Sequence, residues 1–234
     1  MSSTARQRLE LVLFAALPTL AVAIGASLGF DKSRAGKVAG YFCLTGPTFL
    51  FAAIAVARRV SRGEAKPFLV PRWGDLSLGF FVALASFFAS FGVVRLLVSS
   101  GKAIWISRIY DQAGDTTVLR DHMVLVAVAI VAAALGEELV WRGLVRDTLT
   151  AALGRRRAWI ASACLYALAH VATLWKLGDE MMGKNPLIVG AALGAGLVFG
   201  ALVERTGRLA PAVVAHAVVD WTVIVLFRLY GNSV

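Results

Sequence analysis

From Met123 to Gly136 the chain runs for fourteen residues without a charge, and then sets Glu137, Glu138 and Arg142 into the same apolar pattern. Such a run belongs in a bilayer or in a buried bundle, where an ionisable group is costly and marks a function or a specific partner. Any fold must therefore bring polar groups to these three side chains. Two sets elsewhere in the apolar sequence can serve: Tyr166 with His170, and His216 with Asp220, each pair four residues apart.

The remaining sequence reads as the scaffold for that meeting. A 59% hydrophobic content and a mean hydropathy of +0.75 over 234 residues are too apolar for an ordinary soluble domain. The expected fold is all-α, a polytopic membrane bundle of about seven transmembrane helices forming one domain over 1–234. The predicted spans are Leu11 to Phe30, Val38 to Ala57, Leu76 to Val94, about His122 to Leu149, Ala158 to Trp175, Pro186 to Val203 and Leu209 to Phe227. Each approaches the roughly 20 residues a helix needs to cross.

The formal charge of +10 would suggest nucleic-acid binding in a soluble chain. Here the basic residues fall between apolar runs, where they orient helices and touch anionic lipid, so no nucleic-acid partner is expected. Arg6, Arg8, the cluster Arg58 to Arg72, Arg146, Arg155 to Arg157, Arg205 and Arg208 outweigh the basic residues of the opposite side. The positive-inside rule then puts the N-terminus in the cytoplasm and the C-terminus outside, and the expected location is a bacterial inner membrane. The stretch Ser99 to Asp121, with Trp105 and Tyr110, fits a short interfacial helix. Pro18, inside the first span, reads as an irregularity tolerated in lipid, with a bend as the competing reading. Gly190/Gly194 and Gly196/Gly200 are both spaced for close helix packing, and Cys43 and Cys164 read as small core residues with no CxxC pattern.

Helical spacing supports a common site. At the rise of an α-helix, Glu137 and His170 each lie about 18 Å from the basic face, and Asp220 about 16 Å. The pairs Tyr166/His170 and His216/Asp220 each share a helix face, as do Glu138 and Arg142. An internal Glu138–Arg142 ion pair is predicted, which leaves Glu137 to face the histidines. A carboxylate beside imidazole can deprotonate water, and a second imidazole can donate to the oxygen of a carbonyl as charge develops there. The residues alone fit amide hydrolysis and equally a proton-conducting or structural network.

The same residues carry a family resemblance. Glu137-Glu138-Leu139-Val140-Trp141-Arg142 resembles the EExxxR signature of the intramembrane proteases that include the CAAX prenyl endopeptidases and the bacteriocin-processing and immunity proteins (the CPBP family). Tyr166 to His170 resembles their aromatic-xxx-His motif, and His216 to Asp220 their His-xxx-Asn/Asp motif. The resemblance implies a catalytic core within 119–227 and cleavage of a membrane-bound protein or peptide. Glu137 with His170 would activate water, His216 and Asp220 would serve the oxyanion, and Glu138, Arg142 and Tyr166 would support them. No cofactor is expected, although a metal-assisted reaction would make Glu137, His170 and His216 the Zn ligands. Trp141 and Tyr166 replace phenylalanine and Asp220 replaces the common asparagine; an ionised Asp220 would oppose an oxyanion, so it is expected to be neutral or to orient His216. The competing readings are a noncatalytic membrane peptide-binding or immunity protein and a proton-coupled transporter.

Overall fold

The computed structural model describes residues 3–112 and 115–230. The C-terminal residue, Val234, to which the predicted external end refers, lies outside them. Seven apolar helices make the bundle: α1 (Thr4–Gly29), α2 (Val38–Ser61), α3 (Asp75–Ser99), α4 (Met123–Leu153), α5 (Arg155–Lys176), α6 (Leu187–Thr206) and the shorter α7 (Ala210–Leu226). Short helices Ala65–Leu69, Ile104–Tyr110 and Thr116–Asp121 lie between them, and among the described residues there is no strand beyond the single bridge of Asp179 with Gly183. The protein is an all-α polytopic bundle with the segments where hydropathy predicts them.

The pattern of exposure is that of a membrane protein. Only 11% of the most apolar window of α3 is buried, and Phe80, Phe81, Phe88 and Leu96 project from it at more than half exposure. Lipid tails can solvate such a surface, whereas water would expel it. The buried set concentrates instead on α4, with Val140, Trp141 and Val145 at its centre. α4 packs against α2, α5 and α7, while α5 packs along α6, α3 along α7 and α1 along α2.

Small residues set these approaches. Pro47, inside α2, has no N–H for the Cys43 carbonyl, and Gly25 of α1 lies so close that a Cβ there would stand 2.3 Å from that oxygen. In α1 the irregularity expected at Pro18 takes the form of a π-helical turn at Val12–Ala16, immediately before the proline. A Cβ on Gly196 would fall 2.9 Å from Ala163 Cβ, and one on Gly200 3.3 Å from Trp159. Gly190 and Gly194, by contrast, have nothing within 4 Å. The expectation of two packing pairs therefore halves: both pairs keep the four-residue spacing, but they lie on different faces of α6, and only Gly196/Gly200 meets α5. Cys164 is exposed and Cys43 half-buried, so neither belongs to the core proper.

Polar ties close the ends of the bundle. Asp75, fully buried at the start of α3, accepts from Arg208 at 2.9 Å and fixes α3 to the α6–α7 connection. Arg59 pairs with Asp147, and Glu204 takes both Arg146 and Arg155. At the opposite end the helix Ile104–Tyr110 holds no fully buried residue, as its interfacial composition predicts. Arg108 bonds Asp179 at 2.7 Å, Asn185 Nδ2 donates to the Trp105 carbonyl at 2.8 Å, and Lys176 reaches Asp31 at 3.1 Å. The loop 177–186 is thereby strapped to that end.

Candidate active site

The π-helical turn Leu139–Val145 interrupts α4 directly after the two glutamates, and all seven of its residues are buried. A π turn inserts one residue into the helical register and leaves backbone acceptors for outside donors. Ser162 of α5 uses one, donating to the Trp141 carbonyl at 2.6 Å. Glu137 and Glu138, adjacent on the regular helix just before the turn, point into different surroundings.

Glu138 faces inward and is completely buried. Its Oε1 lies 2.9 Å from Arg142 Nη1 and 2.8 Å from His216 Nδ1. Arg142 is 3% exposed and turns its second arm to the Ala195 carbonyl at 3.1 Å, with its guanidinium 5.0 Å from the Tyr166 ring and 5.5 Å from the Phe199 ring. The ion pair predicted from spacing is thus present, and it extends to a third member: Arg142 holds Glu138, and Glu138 holds His216. A carboxylate can only accept here, so His216 Nδ1 carries a proton and donates it. The imidazole also lies on Phe199, ring centres 5.3 Å apart.

Glu137 occupies the more open side, its side chain 27% exposed. Tyr166 donates its phenolic O–H to Glu137 Oε2 at 2.5 Å, and His216 Nε2 lies 4.0 Å from the same oxygen. Asp220 Oδ2 lies 3.4 Å from His216 Nε2 with a side chain 32% exposed. The two accessible acids therefore flank the nitrogen of His216 that Glu138 does not hold.

His170 stands at the end of the regular part of α5, where the chain tightens into three-residue turns. Its Nδ1 lies 2.8 Å from the Tyr166 carbonyl, so that nitrogen donates and Nε2 is the basic one in the neutral ring. The ring meets Tyr166 edge-on with centres 4.8 Å apart. Among the described residues, carboxylate oxygens lie within 4.0 Å of the ring of His216 and not of His170. Tyr166 thus intervenes between the expected partners Glu137 and His170.

All seven side chains singled out in the sequence, Glu137, Glu138, Arg142, Tyr166, His170, His216 and Asp220, converge on one region formed by α4, α5 and α7. The spacing argument missed three contributors from other positions: Ser162, Phe199 and the Ala195 carbonyl. Phe199 had a readable signal, being the one aromatic residue in Leu187–Thr206. A main-chain acceptor such as Ala195 has none. For a metal, the set Glu137, His170 and His216 does not assemble: among the described residues no three His, Cys, Asp or Glu side chains form a group able to hold an ion. No step below is routed through a metal.

No curated protein and no solved structure matches the chain. Residues 120–222 match the family described as Rce1-like, type II CAAX prenyl endopeptidase Rce1-like. That segment contains all seven site side chains, with helices α4 to α6 and most of α7. Over this segment the chain is similar to the CAAX prenyl endopeptidase-like (CPBP) family.

Proposed function

We propose that this protein is a glutamate-type intramembrane endopeptidase of a bacterial inner membrane, with its catalytic core in 119–227 and a membrane-bound protein or peptide as substrate. The observation that carries the reading is the contrast between the two adjacent acids. Glu138 is sealed away between Arg142 and His216, while Glu137 keeps an accessible carboxylate beside the free edge of His216. A structural network or a proton path does not require one acid to be closed and its neighbour open. A hydrolase does.

In the proposed reaction Glu137 takes a proton from water that is also held by His170 Nε2, and the oxygen adds to the peptide carbonyl. His216 acts as the imidazolium, protonated on both ring nitrogens: Nδ1–H is held by Glu138 and Nε2–H is offered to the developing oxyanion. Asp220 lies against that nitrogen and keeps it directed while no carbonyl oxygen is present. Glu137 then returns the proton to the leaving amine. No cofactor enters this scheme.

The test is cleavage of a membrane-peptide library by the purified protein in detergent and by Glu137→Gln. Loss of a positioned general base lowers turnover by about 10²- to 10⁴-fold. Equal product from both forms would reject Glu137 as the base. Elemental analysis beside the turnover measurement tests the metal-free scheme: one tightly bound Zn per chain, lost and restored together with activity, would overturn it.

A further inference from the structure

The contacts of Tyr166 exceed what a packing residue needs. Its phenol donates to Glu137 Oε2 at 2.5 Å, within the range of charge-assisted O–H···O⁻ bonds. Its main-chain carbonyl accepts from His170 Nδ1 at 2.8 Å. Its ring meets His170 at 4.8 Å, Trp141 at 5.2 Å and the Arg142 guanidinium at 5.0 Å. One residue on α5 therefore touches the acid on α4 and the imidazole at the end of its own helix.

We infer that Tyr166 is a positioning residue for the reaction, setting both members of the water-activating pair at once; this rests on the peptidase reading above. The phenol occupies Oε2, the oxygen that faces His216, and so assigns the proton transfer to Glu137 Oε1. The carbonyl fixes the tautomer of His170 and leaves Nε2 to take a hydrogen bond from the water. Neither effect requires Tyr166 to touch the substrate. It acts through Glu137 and His170, which it contacts at the same time.

Tyr166→Phe isolates the phenol, because the ring contacts and the carbonyl that holds His170 remain. The probe is the fastest-cut member of a fluorogenic transmembrane-peptide library, assayed in detergent with the parent, Tyr166→Phe, Glu137→Gln and the double variant. The expected result is a fall in kcat of about 10- to 100-fold, the effect of one hydrogen bond to a charged group, with KM changed by less than about twofold. In the Glu137→Gln background the phenylalanine substitution should cost no further rate, because the carboxylate it positions is gone. Parent-like kcat in Tyr166→Phe would overturn the inference and leave the peptidase reading intact. So would an equal loss in both backgrounds, which marks a folding defect and not a defect in placing Glu137. Absence of cleavage by the parent would remove the peptidase reading and this inference together.

Discussion

Replacing Arg142 with methionine should destabilise the bundle before it alters any chemistry. The guanidinium is 3% exposed and its partner Glu138 fully buried, so the substitution leaves a carboxylate in a closed site with only His216 against it. Breaking a buried pair from one side costs about 3–5 kcal/mol. The bond to the Ala195 carbonyl is lost as well, and side-chain hydrogen bonds inside membrane proteins average about 0.6 kcal/mol. Retention of His216 offsets part of this, so a net loss of about 3 kcal/mol is expected. At about 2–4 °C per kcal/mol for a chain of this size, the unfolding midpoint in detergent should fall by about 6–12 °C. Arg142→Lys keeps a charge near Glu138 but cannot also reach Ala195 with a planar fork, and should lie between the two. Thermal unfolding followed by tryptophan fluorescence measures all three. A methionine form as stable as the parent, altered only in the bond it cuts, would show that Arg142 contacts substrate and that the burial argument is mistaken.

The glycines of α6 give a paired test. Gly196→Ala forces a Cβ to 2.9 Å from Ala163 and should cost about 1–3 kcal/mol, whereas Gly194→Ala meets nothing and should be neutral; unfolding midpoints that do not separate the two would contradict the α5–α6 contact. Reporter fusions after Lys66 and Arg156 should report cytoplasm and one after Val234 the other side; an external report at Lys66 overturns the orientation. The strap at 177–186 should depend on pH. Asp179 is held below its ordinary 3.8 by the hydrogen bond from Arg108, then by the N–H groups of Met181 and Met182. A depressed carboxyl stabilises fully above its unfolded value and stops doing so as pH falls through its folded one. Protection factors of the loop amides, taken relative to their intrinsic exchange at each pH, should therefore be high above about pH 4 and fall below it. Asp179→Asn should remove that dependence, and a variant as pH-sensitive as the parent would locate the effect elsewhere.

The meeting of the site residues was largely legible because the bilayer leaves few options. Apolar runs of spanning length become helices, every backbone polar group being satisfied within the segment, and helical spacing then puts Glu138 with Arg142 and His216 with Asp220 on shared faces. What spacing cannot supply is distance between helices. The sequence pairs Glu137 with His170 and leaves Glu138 to Arg142. In the folded chain Glu138 also holds His216, and the Tyr166 phenol lies on Glu137. The π turn at Leu139–Val145, which follows both acids within one helical span, likewise leaves no mark in hydropathy.

The same division applies to the scaffold. Composition and period determined a membrane bundle, its seven segments and the presence of costly polar groups within it, because transfer of side chains to lipid depends on the residues themselves. Tertiary structure decided which of two identical glycine spacings packs, which acid holds His216 Nδ1, and that the Tyr166 phenol reaches Glu137. Those outcomes are set by which neighbour lies within a few ångströms, and a neighbour exists only after the helices have docked.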